Sequence, residues 1–202
     1  MTLVAVLAVL AAHNLAGNER WYVPVNLATA GVVTGLALSA GASPHEIGLT
    51  ANGAATGLAC GVAAGCVVAL AAVLPVTRPL FRDERMRGVD GGATARLALI
   101  RIPLGTVVLE EVAFRGVLPV FIAPWAAAVL FGLWHVRPAA QTLATNNLSL
   151  WLTAAAVAAT TLAGLGFHAL KQASGGLLAP AIVHASITST ATVAAFLAHR
   201  RR

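Results

Sequence analysis

The hydrophobic pattern divides the chain into seven apolar stretches separated by short polar or proline-containing connections. Spanning the hydrocarbon core of a bilayer takes about 20 helical residues, with a tolerance of several. Three stretches meet that length easily, whereas 2–16 and 124–136 need a thinner bilayer, tilt or burial by neighbouring helices. The pattern predicts an all-α, polytopic transmembrane helix bundle of about seven helices in a single domain, 1–202. The stretches are 2–16, 24–41, 53–75, 94–118, 124–136, 148–170 and 176–198.

Proline residues predict how two of these helices are connected. Pro119 and Pro124 bracket residues 120–123, and because proline interrupts helices and favours turns, we expect a tight hairpin there. Pro103 lies early in the preceding helix and predicts a kink. The polar residues 141–147 are expected to form a short loop.

The composition supports a membrane protein. Of the 202 residues, 58% are hydrophobic and 10% are charged, against about 25% charged residues in a soluble domain. The chain therefore lacks the polar surface of a water-soluble protein, and we expect a lipid bilayer around it. Its net charge of +6 comes from arginines in short runs between apolar stretches. Such runs set membrane topology, so we expect no nucleic-acid partner.

The basic residues predict an orientation. The connection 77–88 carries four arginines, and placing it in the cytoplasm puts most of the remaining basic residues on the same side. Only Lys171 then lies on the opposite side. The N-terminus is expected outside and the C-terminus in the cytoplasm. Abundant arginine, alanine and glycine are typical of a GC-rich bacterial gene, so we expect a multi-pass protein of the bacterial inner membrane. The same-side residues are Arg20, Arg96, Arg137 and 200–202.

Two adjacent acids, Glu110 and Glu111, lie in the middle of an apolar stretch, with Arg115 shortly after them. Ionisable groups at bilayer depth cost at least ~3 kcal/mol each on insertion scales, so they are rarely without a role. Glu111 and Arg115 are four residues apart and are expected to pair on one helix face. Neighbouring residues point about 100° apart, which leaves Glu110 to face an internal cavity. The alternative is a Glu–Arg clamp that only ties helices together.

The hairpin brings three chemically active groups to one depth. With the turn near Ile122, Glu110 lies twelve residues before it and His135 thirteen after it. Because antiparallel helices rise ~1.5 Å per residue, their side chains reach similar depths. His184 lies several residues into the last apolar stretch, which enters from the same side. We therefore expect these three side chains to converge, although an interfacial position near Arg137 is an alternative for His135.

Neighbours in sequence support both histidines. Phe131 and His135 lie on one helix face, where the ring would pack beside the imidazole, and Gly132 would admit a neighbouring helix. His184 and Thr188 lie one turn apart. They would supply two oxyanion donors, complete a metal site, or form only an inter-helix polar contact.

Other candidate residues receive structural interpretations. His168 is expected at the outer interface rather than in a metal site. Cys60 and Cys66 lie on different faces of one predicted helix, so they cannot pair, and we expect two buried small residues. The four tryptophans lie near predicted helix ends and are expected to be interfacial anchors. They are Trp21, Trp125, Trp134 and Trp151.

Three segments together resemble one protein family. Glu-Glu-Val-Ala-Phe-Arg at 110–115 resembles the EExxxR motif of the CPBP intramembrane metalloprotease family, which includes CAAX prenyl endopeptidases and Abi-like proteins of bacteriocin processing and immunity. Phe131 to His135 resembles its FxxxH motif, and residues 177–184 resemble its final helix. The resemblance covers a protease-like core at about 96–192. The chain departs from the family where Thr188 replaces the usual asparagine.

The resemblance implies an intramembrane endopeptidase that hydrolyses a membrane-associated peptide or protein substrate. Glu110 and His135 would activate water, and His184 with Thr188 would stabilise the oxyanion. Glu111, Arg115 and Phe131 would support the site. A possible Zn²⁺ would take Glu110, His135 and His184 as ligands, although the chain lacks the HExxH motif of soluble zinc proteases.

Two other functions fit the same residues. A non-catalytic immunity or assembly protein would use the polar cluster to hold its helices together, and the threonine at position 188 favours it. A small transporter with a proton-relay carboxylate is the third class. The absence of paired inverted halves with broken helices weighs against a transporter.

Overall fold

The computed structural model describes residues 1–16, 20–145 and 151–200. Within these ranges the chain forms helices joined by turns, without any strand, which confirms the all-α prediction. The first half contains α1 (Thr2–Ala16), α2 (Tyr22–Ser39), the four-residue α3 (Pro44–Ile47) and α4 (Ala54–Val73). The arginine-rich connection follows and contains two 3₁₀ turns, Arg78–Phe81 and Glu84–Met86.

A long helix at 91–121, here called the motif helix, carries both acids and the buried arginine. It consists of α5 (Gly91–Arg96), a π-helical segment (Leu97–Val107), α6 (Val108–Glu111), a second π-helical segment (Val112–Val117) and α7 (Leu118–Phe121). The Asp90 carboxylate caps its start by accepting from the Ala93 N–H at 2.8 Å. Pro103, predicted to kink the helix, lies inside the first π-helical segment. Proline lacks an N–H and disfavours the normal α-helical turn, so the irregularity occurs where it was expected.

The second half contains α8 (Pro124–Trp134), α9 (Val136–Thr145), α10 (Trp151–Ser174) and α11 (Leu178–Arg200). Ile122 adopts an extended conformation between α7 and α8, which confirms the predicted hairpin. The helix α9 was not predicted, because its residues 141–145 were assigned to a loop. The remaining two residues of that loop, 146–147, and the last two arginines lie outside the described residues.

The helices agree closely with the seven apolar stretches. Four of them, α2, α4, α10 and α11, are long and apolar enough to cross a membrane, and the apolar α1 is shorter. The stretches 94–118 and 124–136 correspond to the motif helix and α8. The prediction of about seven helices is therefore approximately right, and α3 and α9 are short additions to it.

The hydrophobic core surrounds the motif helix. Leu109, Ala113 and Val117 recur every four residues on it and are fully buried. They pack in one cluster with apolar residues of α1, α2, α3 and α8.

Gly132 allows α8 and α10 to approach each other. A Cβ atom built on this glycine would lie 2.8 Å from the Val157 carbonyl oxygen and even closer to the Thr161 hydroxyl. The predicted close approach at Gly132 is therefore confirmed. It also fixes the adjacent end of α8, where His135 follows the last helical residue.

Replacing Gly132 by alanine is expected to destabilise the protein by about 1–3 kcal/mol, because the methyl group overpacks the contact between α8 and α10. Unfolding of the detergent-solubilised protein measures the effect. Gly166→Ala on α10 is the matched control, since no atom lies within 4 Å of its added Cβ. Equal stabilities of the two variants would contradict the assigned contact.

Lys171 of α10 joins α3 to the motif helix. Its ammonium group is buried and donates to the Glu46 carbonyl at 2.8 Å and to the Arg115 carbonyl at 3.0 Å. Gly48 has a positive φ of 88° and lies directly against this side chain. Its carbonyl accepts from the Leu177 N–H at 2.9 Å. These bonds fix the start of α11 and therefore the position of His184.

The prediction that both cysteines are buried was wrong, because Cys60 and Cys66 are exposed on α4. The only buried residues of α4 are Gly57 and Gly61. This helix contacts the bundle mainly through that narrow glycine face, so its other faces point outward. In a membrane, apolar side chains need no protein around them to avoid water.

Candidate active site

Glu110 lies at the centre of the polar cluster and is 5% exposed. Its Oε1 atom accepts a hydrogen bond from the Trp134 indole N–H at 3.1 Å. Its Oε2 atom is buried without a hydrogen-bond partner among the described residues. That oxygen faces two imidazole nitrogens, His184 Nε2 at 3.7 Å and His135 Nε2 at 3.9 Å. The three predicted groups therefore converge on one gap.

The backbone determines which nitrogen of His135 carries a proton. His135 Nδ1 lies 2.8 Å from the Phe131 carbonyl oxygen. Because a carbonyl only accepts hydrogen bonds, Nδ1 must be the N–H donor, and in the neutral ring Nε2 keeps its lone pair. The Phe131 ring packs edge-to-face against the imidazole with centroids 4.6 Å apart, as predicted. These contacts hold Nε2 towards Glu110.

His184 is oriented by the second acid. Its Nδ1 atom lies 2.8 Å from Glu111 Oε1, and its ring stacks on Phe167 with centroids 5.0 Å apart. An ionised carboxylate only accepts, so Nδ1–H donates to Glu111 and Nε2 faces Glu110.

Arg115 is fully buried and is the positively charged partner of Glu111. Its Nη1 atom lies 3.2 Å from Glu111 Oε1, which confirms the predicted pairing four residues apart. Its guanidinium also lies over the rings of Phe131 at 3.7 Å and Phe167 at 5.0 Å. Cation–π contacts replace part of the hydration lost on burial.

The charges in the cluster do not balance when both imidazoles are neutral. Two carboxylates, Glu110 and Glu111, face one guanidinium, which leaves a net charge of −1. In that state Glu110 Oε2 and the two Nε2 atoms all present lone pairs to the same gap. The gap therefore favours a group with protons to donate, such as water, or a positive charge.

Thr188 follows His184 by one turn of α11 and is partly buried. Its carbonyl accepts from the Thr192 hydroxyl at 2.9 Å. The Thr188 hydroxyl makes no hydrogen bond to the described residues, so the structure does not join it to the other site residues.

The described residues contain no group of three or more His, Cys, Asp or Glu side chains arranged to hold a metal ion. Glu110, His135 and His184 are nevertheless the oxygen and nitrogen donors that zinc accepts. Zinc therefore stays an expectation.

The comparisons with known proteins agree with the geometry. Residues 92–190 match the family model described as type II CAAX prenyl endopeptidase Rce1-like. This segment belongs to the CAAX protease family. No curated protein and no solved structure gives a significant match. The resemblance found in the sequence motifs is thereby confirmed.

The CAAX protease segment contains every residue of the cluster and also Thr188. CAAX proteases act in membranes, and the apolar helices of this chain are long enough to span one. The chain therefore has the helices of a multi-pass membrane protein and contains a CAAX protease segment. Its helices α1, α2 and α4 lie outside the matched residues.

Sequence reasoning assigned Trp134 of this CAAX protease segment to the membrane interface, and that prediction was wrong. The indole is turned inward onto Glu110, whereas the other three tryptophans are more than half exposed. The contact between Trp134 and Glu110 was predictable from the hairpin, because Trp134 lies twelve residues after Ile122 and Glu110 lies twelve before it.

Phe167 and Lys171 were also missed as neighbours of the site. Both lie on α10, one stacked on His184 and the other bonded to the backbone of Arg115. The signal for Lys171 was its isolation, since it is the single lysine of the chain and stands apart from the arginine runs. His168 lies beside Gln172, away from the cluster.

Proposed function

We propose that this protein is an intramembrane endopeptidase that hydrolyses a peptide bond of a membrane-associated peptide or protein. The observation that carries the proposal is the unpartnered Oε2 atom of Glu110, which is buried and faced by two imidazole Nε2 atoms. A carboxylate and an imidazole on one side of a small gap are the groups that activate water.

The reaction begins with a water molecule between Glu110 and His135. Glu110 Oε2 takes a proton as the water oxygen attacks the carbonyl carbon of the peptide. The carbonyl oxygen becomes an oxyanion, which the protonated Nε2 of His184 and the Thr188 hydroxyl stabilise. Glu110 then returns its proton to the amide nitrogen, the C–N bond breaks, and a carboxylic acid and an amine leave.

Glu111, Arg115 and Phe131 hold this arrangement without touching the substrate. Glu111 orients His184 through Nδ1, while Arg115 balances the charge of Glu111. Phe131 contacts both His135 and the Arg115 guanidinium. We assign the reacting role to Glu110 and the supporting role to Glu111 because the two acids contact different side chains.

A zinc ion is a further part of the proposal. Glu110, His135 and His184 would hold it, and it would supply Lewis-acid activation of water or carbonyl. No step above depends on it. Elemental analysis of purified, detergent-solubilised protein decides the question: one zinc per chain would make these residues ligands, whereas full cleavage by a metal-free sample would exclude a catalytic ion.

Comparison of membrane peptides in cells that produce wild-type protein or Glu110→Gln tests the proposed activity. Cleavage products that appear only with the wild type support it and name the substrate. The bilayer of a bacterial inner membrane, with the C-terminus in the cytoplasm, is the proposed location. A tag at either terminus, probed from outside the cell, measures that orientation.

A non-catalytic immunity or assembly function is the second candidate. The observation that favours it is Thr188, whose hydroxyl has no bond to the other site residues and stands where the family usually has asparagine. Loss of one oxyanion donor lowers rates by about 10²-fold or more. An immunity phenotype that Glu110→Ala leaves unchanged would support this candidate over the protease.

Trp134 is proposed to position Glu110. Trp134→Phe keeps an aromatic ring but removes the N–H that holds Oε1, and hydrogen bonds to charged groups contribute about 1.5–3 kcal/mol. We expect kcat to fall about tenfold or more while KM is unchanged. Trp125→Phe, an exposed tryptophan on the same helix, is the matched control and should retain full activity. A rise in KM with normal kcat would assign Trp134 to substrate binding instead.

A further inference from the structure

A groove separates α4 and α11 at the end of the bundle that carries the arginine-rich connection. It encloses a cavity of about 180 Å³. The walls are small or branched apolar side chains, and Arg78 lies at the same cavity. The groove is lined by Ala69, Ala72 and Val73 of α4 and by Val193, Ala194 and Leu197 of α11.

The groove begins where the glycine contact between these helices ends. A Cβ atom built on Gly57 would lie 2.8 Å from Ala179 Cα, and one built on Gly61 would lie 2.8 Å from the Ser186 hydroxyl. At Gly65 the nearest atom, the Thr190 hydroxyl, is already 3.3 Å away. Beyond that level the short alanine side chains leave the space between the helices unfilled.

Arg78 gives the groove a positive charge that the described part of the chain does not neutralise. Two of the four arginines in the connection have carboxylate partners, since Arg85 pairs with Asp83 at 2.6 Å and Arg87 pairs with Glu84. Arg78 and Arg82 form no ion pair with a described carboxylate. The partly buried Arg78 guanidinium beside this apolar cavity is therefore free to pair with an anion from outside the chain.

The residues around Arg78 indicate that this anion lies at a membrane surface. Val76 is 89% exposed and Leu80 is 81% exposed, one on each side of Arg78 in the sequence. Apolar side chains next to an arginine are suited to the boundary between headgroups and acyl chains. The groove itself continues from this boundary along the two spanning helices.

We propose that this groove binds one anionic phospholipid, with its phosphate at Arg78 and part of an acyl chain between α4 and α11. An acyl chain matches the apolar walls, and the phosphate matches the uncompensated guanidinium. The site is separate from the cluster around Glu110, so the proposal holds whether or not the protein cleaves peptides. The lipid would fix the spacing of α4, which lies outside the CAAX protease segment, against α11.

Native mass spectrometry of the purified, delipidated full chain tests this site. Dioleoyl phosphatidylglycerol and dioleoyl phosphatidylcholine are compared, because they share acyl chains and differ in net charge. A basic residue at a membrane surface contributes roughly fivefold to the binding of an anionic lipid. We expect the wild type to bind the anionic lipid at least about fivefold more tightly.

Three variants separate the groove from general charge attraction. Arg78→Gln should remove that preference, and Ala194→Leu, which fills the groove, should weaken both lipids. Arg82→Gln, which removes an equally unpaired charge outside the groove, should change binding less than twofold. Equal binding of the two lipids by the wild type, or equal losses in Arg78→Gln and Arg82→Gln, would overturn the proposal. A dimer that Ala194→Leu abolishes would also overturn it, since a second copy would then occupy the groove.

Discussion

Glu110→Gln is expected to lower the rate of peptide cleavage by about 10²–10⁴-fold, the range of a general base, and to leave the protein folded. Glutamine has nearly the same shape, and its carbonyl oxygen still accepts from the Trp134 indole N–H. Its amide cannot take a proton from water. The substitution also removes one of two negative charges from a buried cluster with a single guanidinium, so it should not destabilise the helices.

Single-turnover cleavage of a peptide substrate measures this loss, and thermal unfolding in detergent confirms the fold. Glu84→Gln is a suitable control, because it removes a carboxylate from the arginine-rich connection rather than from the cluster. If Glu110→Gln cleaves the substrate at the wild-type rate, Glu110 is not the general base. A loss of cleavage that accompanies a lower unfolding temperature would make Glu110 a structural residue and would leave the reaction unassigned.

The helices and the meeting of three groups were predictable because both depend on regular geometry. Apolar length fixed the seven stretches, and the prolines fixed the turn at Ile122. Counting residues from that turn then placed Glu110 and His135 at one depth, and their side chains lie 3.9 Å apart. A helix rises by a constant amount per residue, so the relative depth of a residue along it can be calculated from its sequence number alone.

The hydrogen-bond partners were less predictable, because they depend on rotation about the helix axes and on distant backbone atoms. Lys171 donates to carbonyl groups 125 and 56 residues away, which no local pattern indicates. Different roles for Glu110 and Glu111 were predictable, because neighbouring side chains on a helix point about 100° apart. The contact of His184 with both acids was not predictable. It depends on the position of α11, which is determined by the connection near Lys171.

Arg115→Met is expected to destabilise the protein by about 3–5 kcal/mol, the effect of removing one partner from a buried ion pair. Methionine fills much of the space between the rings of Phe131 and Phe167 but leaves the Glu111 carboxylate without its guanidinium. Arg115→Lys should also be destabilising, because an ammonium group does not reproduce a planar cation held between two rings.

Equilibrium unfolding in mixed micelles compares these variants with Arg82→Met, which removes an exposed arginine and should have little effect. The double variant Glu111→Gln/Arg115→Met tests the cause of the loss. If the unpaired Glu111 carboxylate destabilises Arg115→Met, the double variant will be more stable than that single variant, because one fewer buried carboxylate is left without the guanidinium. If the double variant is no more stable than Arg115→Met, the unpaired Glu111 carboxylate is not the cause of the loss, which then comes from the packing of Arg115 against the rings. Because Glu111 also orients His184, the double variant should still lack activity, which separates the role of the pair in stability from its role at the site.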